Sequence, residues 1–196
     1  MKMKLVFATH NKNKFEEIKT MIPSDITLVS LTDIGCHEDI AETANTIEGN
    51  AFLKAKYVFD KYNLPCFSDD TGLEVRALNN EPGVNSARYA GDHDSDANTD
   101  KLLANLENEN DRFAQFKTAI VLITQNLEKE FTGVCKGEIT KMKRGDGGFG
   151  YDPVFQPEGY SRTFAEMTQE EKAEIGHRGK AMRKLIDFLS INMKEN

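Results

Sequence analysis

Segments of helical period alternate along this chain with short apolar or β-branched runs, and that alternation confines it to an α/β fold with a mixed sheet. Lys4 to Ala8 reads as a strand, and the following segment from Lys12 to Ile22 sets Phe15, Ile18 and Ile22 on one helical stripe. A second helix is expected from near Glu48 to Tyr62, with Phe52, Ala55, Val58 and Phe59 at helical spacing, stopped by Asn63-Leu64-Pro65. An apolar strand ending in Asp69-Asp70 follows at once. Leu102, Leu103 and Leu106 mark a helix around Thr99 to Glu107, after which Phe116 to Thr124 and Lys129 to Ile139 read as a hairpin. Thr168 and Glu171 fit a capping box, Gly176 a helix stop, and Met182, Leu185, Ile186 and Leu189 one face of a last helix from Gly179 to about Met193. No repeat, linker or low-complexity tract interrupts the pattern, so residues 1–196 are expected to form a single domain.

The net charge of -7 argues against a broad nucleic-acid surface, which needs a basic face to neutralise phosphates; a small phosphorylated ligand needs only a local cluster of Lys and Arg. No stretch approaches the roughly 20 apolar residues of a membrane-spanning helix. Met1-Lys2-Met3-Lys4 is basic, but Leu5-Val6-Phe7-Ala8 is too short for a signal-peptide core, and a cytoplasmic location is expected. Cys36, Cys66 and Cys135 are scattered, with no Cys-x-x-Cys spacing, so they are expected to stay reduced, with Cys66 a packing residue.

Four segments and one further carboxylate can carry chemistry. Thr9-His10-Asn11-Lys12-Asn13-Lys14 joins the first strand to the first helix, where free N–H groups and the positive dipole end suit an anion. Lys12 and Lys14 oppose that dipole; either a phosphate removes the conflict or both lysines point into water. Asp69 and Asp70 are neighbours and face opposite ways on a regular strand, so one is expected toward a ligand while the other organises a turn with Thr71-Gly72; both can equally be turn residues. Glu42 is a candidate partner carboxylate for a hard divalent cation. In the segment Gly147 to Pro153, Phe149 and Tyr151 can stack a planar base, and His177 with Arg178 can bond its edge, unless they are a polar helix junction.

Two apparent motifs fail on context. Gly145, Gly147 and Gly150 match the dinucleotide-binding glycine pattern, yet Tyr151-Asp152-Pro153 follows where a helix must open. Asp92 to Asp96 imitates a calcium loop, but Ala97 stands where glycine is needed and Leu103 where a bidentate glutamate is needed; the run is expected to be a solvated loop.

The ordered set Thr9-x-Asn11-x-x-Lys14, Glu42-Thr43, Asn50-Ala51-x-x-Lys54-Ala55, Ser68 to Leu73, Pro82-Gly83, Ser86 to Tyr89, Gly148 to Pro153, Glu171-Lys172 and His177-Arg178-Gly179 resembles the Ham1-like inosine triphosphate pyrophosphatases. The resemblance covers nearly the whole chain. It implies a mixed elongated sheet with flanking helices in two lobes around a cleft, a homodimer, and magnesium-dependent hydrolysis of ITP, dITP and XTP to monophosphate and pyrophosphate. It further implies that Glu42 and Asp70 hold the metal, that Asp70 is the catalytic base, and that Thr9 to Lys14 hold phosphates with help from Lys54 and Arg88. Thr71 would contact substrate, Phe149, Gly150, Tyr151 and Asp152 would clasp base and sugar, and Lys172, His177 and Arg178 would complete the base pocket. His10, Thr71 and Gly49 depart from the residues many relatives carry, which are glycine, serine and glutamate. A Maf-like pyrophosphatase for other modified nucleotides and a non-catalytic nucleotide-binding module are the rival readings.

Overall fold

The computed structural model describes residues 3–91 and 93–192. In chain order the elements are β1 (Met3–Phe7), α1 (Lys12–Lys19), β2 (Ile26–Val29), α2 (Ile47–Tyr62), β3 (Cys66–Val75), β4 (Glu81–Gly83), α3 (Ser95–Asn105), β5 (Phe113–Thr124), β6 (Leu127–Ile139), β7 (Phe155–Pro157), α4 (Gln169–Ile175) and α5 (His177–Asn192). Hydrogen-bonded neighbours run β2-β1-β3-β5-β6-β7, with β4 on β3. The chain divides into two compact units: one holds the residues up to Asp70, Thr118–Gly133 and the stretch from Arg178, the other Thr71–Lys117 and Val134–His177. No helix among the described residues is long and apolar enough to cross a membrane.

In the first unit β1 pairs in parallel with β2 and with β3, the Leu5↔Leu28 and Val6↔Cys66 registers each being separated in sequence by a helix, as parallel crossovers require. Leu5, Phe7, Ile18, Phe67, Met182 and Leu185 share one core, in which the Phe7 and Phe67 rings stack at 4.6 Å. Helix α1 ends at Lys19, short of the expected Ile22: Thr20 donates its hydroxyl to the Glu17 carbonyl, and Pro23 disfavours helix at Ile22. The two-residue connection Gln125-Asn126 makes β5 and β6 the expected hairpin.

Helix α2 is capped by Thr46, which accepts from the Gly49 N–H, and closes on left-handed Asn63. Its buried stripe is Ile47, Asn50, Ala51, Lys54, Ala55 and Val58, whereas Phe52 and Phe59 are only half-buried. The stripe is rotated from the expected one because β3 sits against the small residues: Ser68 donates to the Ala51 carbonyl and Cys66 Sγ to the Ala55 carbonyl at 3.2 Å. Buried there, the Cys66 thiol is pushed up to about 12, which makes it the packing residue expected.

In the second unit Leu73, Val75, Phe116, Phe155 and Phe164 lie in a separate core. β3 runs unbroken through Thr71 and Gly72 and pairs antiparallel with β4, Leu73↔Gly83, so the carboxylates lie within a strand and the turn reading is corrected. The alternating burial of Leu73 and Val75 is what keeps the strand going past the polar residues. Helix α3 starts at Ser95, with Asp94 accepting from the Asp96 and Ala97 N–H groups. What reads in sequence as a solvated loop is therefore in large part a helix start; Asp92 lies outside the described residues. The capping box at Thr168 and Glu171 is present, and Gly176 ends α4. A Cβ on Gly176 would lie 2.5 Å from the Lys172 carbonyl oxygen, so close chain approach is what demands glycine there. A second capping box, Thr163 with Glu166, precedes it.

Candidate active site

Asn11 caps α1 by accepting from the Lys14 N–H at 3.1 Å, and Thr9 Oγ1 accepts from the Asn11 N–H at 3.1 Å. These bonds fold the 9–14 segment into a tight turn. His10 is exposed, its ring Nε2 at 2.9 Å from the Glu38 carbonyl, and Lys12 and Asn13 face solvent. Lys14 instead turns inward to Asp69 at 3.1 Å, so within the protein itself a carboxylate answers half of the lysine–dipole conflict seen in the sequence.

Strand alternation then separates the two aspartates as expected. Asp69 is fully buried between Lys14 and Arg178, whose Nε donates to it at 3.0 Å. Asp70, on the other face, lies 3.7 Å from Lys54 Nζ, and the same ammonium lies 2.5 Å from Glu42 on the loop before α2. Glu42 and Asp70 thus meet through one lysine. Arg178, 1% exposed in the first turn of α5, also donates Nη1 to Glu17 at 2.6 Å. In this structure two edges of its guanidinium are committed to carboxylates. Glu17 was missed by the sequence reading; its one local signal is its place three residues after Lys14, on the same helix face.

Burial alone would push the Asp69 carboxyl up, but Lys14, Arg178 and Lys54 overcome it and hold it well below the usual carboxylate range. Asp70 goes the other way: burial, helped by Glu42 and Asp69, raises it despite Lys54 and Lys14. Burial draws the Lys14 ammonium down against the pull of Asp69. For Lys54 burial acts in the same sense, but Asp70, Glu42 and Asp69 outweigh it and raise the ammonium. Adjacent carboxyls are therefore shifted in opposite directions, Asp69 down by its cationic neighbours and Asp70 up by burial. Among the described residues no group of three or more His, Cys, Asp or Glu side chains is gathered as a cation cage.

In the second unit, Lys172 of α4 donates Nζ to Asp152 Oδ2 at 2.7 Å, and that oxygen also accepts from the Phe149 N–H at 2.8 Å. The ammonium sits 4.6 Å from the centroid of the half-buried Phe149 ring. Gly148, φ +72°, and Gly150, φ +63°, give the loop its left-handed turns around Phe149. His177 is buried with its ring stacked on Phe116 at 4.5 Å. Tyr151 does not stack outward as its residue type suggested: it is 4% exposed in the core, its hydroxyl donating to the Ser86 carbonyl at 2.8 Å. Thr71 is half-buried on β3, and Arg88 is exposed in a short helical turn after Asn85.

A family model described as Ham1 family matches residues 5–188. A dITP/XTP pyrophosphatase of Flavobacterium psychrophilum is 62% identical over 187 residues, covering 95% of this chain and 98% of the relative. One from Porphyromonas gingivalis is 52% identical over 188 residues, covering 95% and 97%. Among solved structures, the Ham1 protein of Staphylococcus aureus superposes with a TM-score of 0.89 at 39% identity, covering 96% of this chain and 99% of that one. A HAM1 protein from Coxiella burnetii gives 0.88 at 36% identity, covering 96% and 98%.

Proposed function

This chain belongs to the Ham1 family, with the mixed α/β fold of its solved members, and we propose that it hydrolyses non-canonical purine nucleoside triphosphates of the dITP/XTP kind to the monophosphate and pyrophosphate. Such a reaction keeps these nucleotides out of DNA and RNA. The observation that carries the reading is the buried Lys54 ammonium shared by Glu42 at 2.5 Å and Asp70 at 3.7 Å, a paired-carboxylate site with its own phosphate-binding cation.

Glu42 and Asp70 offer only oxygen, the donor that magnesium prefers, so the residues fit that ion as the cofactor. When bound, magnesium supplies charge neutralisation at phosphate oxygens and helps orient an attacking water. The raised Asp70 carboxyl accepts a proton from that water, while Lys14 and Lys54 stabilise negative charge gathering on the phosphates. Thr9, Asn11 and the N–H groups of the 9–14 turn, with exposed Lys12, complete phosphate binding in the first unit.

Base recognition falls to Phe149, which stacks the ring, and to Asp152 with Lys172, which read its edge, His177 supporting them from the core of the same unit. A 6-keto group accepts from the Lys172 ammonium, whereas the 6-amino group of ATP sets donor against donor. Leaving one buried donor unpaired costs about 1–3 kcal/mol, so each contact gives only tens-fold discrimination and several act together. A homodimer and a cytoplasmic location are carried by the family resemblance; sedimentation showing only monomer at working concentration would remove the dimer. Measuring pyrophosphate and orthophosphate release from ITP, XTP, dITP, GTP and ATP, with magnesium and then with chelator, tests the whole reading. Magnesium-dependent pyrophosphate release favouring ITP, XTP and dITP is expected; tight nucleotide binding without release would leave a binding module.

A further inference from the structure

We propose that Gly49 and Ala44 form a matched contact that sets the position of Glu42, which makes Gly49 a positioning residue for the carboxylate facing Lys54. The proposal rests on the reading of Glu42 as a metal ligand. Gly49 lies in the first turn of α2, and its backbone is not in the left-handed region, so conformational freedom does not call for glycine there. Glycine gives up backbone entropy that alanine keeps, so another reason must favour it there. The reason is close approach: a Cβ on Gly49 would lie 2.6 Å from Ala44 Cβ and 2.9 Å from Thr46 Oγ1.

Neither neighbour can swing away. Ala44 Cβ is fixed to the backbone, and the Ala44 N–H is tied to Oδ1 of Asn50, 1% exposed, at 2.9 Å. Thr46 Oγ1 is committed as the helix cap, accepting from the Gly49 N–H at 3.0 Å. Carbon atoms in ordinary contact sit about 3.5–4.0 Å apart, so a methyl at position 49 drives the segment before α2 outward by about 1 Å. Glu42, two residues upstream of Ala44, moves with it and leaves its 2.5 Å contact with Lys54.

The test compares Gly49→Ala, Ala44→Gly/Gly49→Ala and Glu42→Gln by two readouts, the half-saturating magnesium concentration for pyrophosphate release and the hydrogen exchange of the residue-44 amide in the metal-free protein. A displacement of about 1 Å is enough to change a site's performance by up to about 100-fold, and Gly49→Ala is expected to raise the magnesium requirement about tenfold and to expose the amide. Removing the opposing methyl in the double variant relieves the shorter of the two clashes, leaving the one at Thr46 Oγ1, and so returns both readouts most of the way toward wild type. Ala44→Val, which crowds the same contact from the loop side, gives the same two shifts and serves if Gly49→Ala fails to fold. Glu42→Gln raises the magnesium requirement and leaves the amide protected. Wild-type behaviour of Gly49→Ala, or no rescue by Ala44→Gly, overturns the positioning role while a shifted Glu42→Gln keeps the ligand role standing; an unshifted Glu42→Gln overturns both.

Discussion

The two charged sites of this protein are built on different principles. In the first unit Lys14, Lys54 and Arg178 are interleaved with Glu17, Glu42, Asp69 and Asp70, and each of Lys54, Arg178 and Asp69 touches two opposite charges. In the second unit one ion pair, Lys172 with Asp152, stands among aromatic rings. A chain of shared partners can take in a highly charged ligand by exchanging contacts, without leaving any member bare. A single cation beside π-faces has less capacity for added charge and suits the edge of a planar base. The contrast teaches that the triphosphate and the base can be bound by separate mechanisms, and it can be broken by experiment.

The largest effect is expected at Asp70. Asp70→Asn removes the proposed proton acceptor, and turnover should fall by about 10²–10⁴ in steady-state assays. Its carboxyl is raised by burial, so ionisation costs the folded state free energy; the amide variant should melt no lower than wild type at neutral pH. A folded variant with near-normal turnover removes Asp70 from the mechanism. For the parent enzyme, activity should rise with pH as the Asp70 carboxyl ionises, since the protonated carboxyl can neither accept a proton nor hold the metal.

Asp69→Asn should do the opposite. It strips the shared partner from Lys14 and Arg178, and removing one member of a buried ion pair costs about 3–5 kcal/mol, readable in denaturant unfolding. Because the Asp69 carboxyl is depressed in the fold, its stabilisation is present above the unfolded value of about 4 and is lost as pH falls below it. The stability gap between wild type and Asp69→Asn should therefore close on acidification. A gap independent of pH would show that Asp69 stabilises by packing rather than by charge.

Lys172→Gln keeps a donor toward Asp152 but loses the cation, and KM for ITP should rise about tenfold, roughly the 1.4 kcal/mol of one charged contact, with kcat less affected and ITP preference over ATP reduced. Should it lower kcat as Asp70→Asn does, the separation of the two sites fails. The smallest effect belongs to Thr168→Ala. Loss of the cap of the helix that carries Lys172 should cost about 1 kcal/mol in thermal unfolding, with selectivity retained.

Much of this was legible in the sequence wherever the cause is local. The Thr168–Glu171 capping box, the β5–β6 hairpin, the buried face of α5 and the opposite facing of Asp69 and Asp70 all follow from spacing, and each is present. The family resemblance rests on the same kind of information, residue identity in order. Where spacing alone was asked to find a partner, it failed. Tyr151 carries the residue type of a stacking platform yet is held in the core by the Ser86 carbonyl, and Asp94 reads as loop yet caps a helix.

The sequence by itself determined the elements and the family, because a helix cap, a strand's alternation and a motif each depend on residues a few positions apart. Only the tertiary structure decided which charges share a partner. Glu17 and Arg178 are 161 positions apart, and the stripe of α2 is phased by Ser68 and Cys66 lying against Ala51 and Ala55. Such pairings depend on strand register and close backbone approach, which are set by the packing of the whole core rather than by any local pattern.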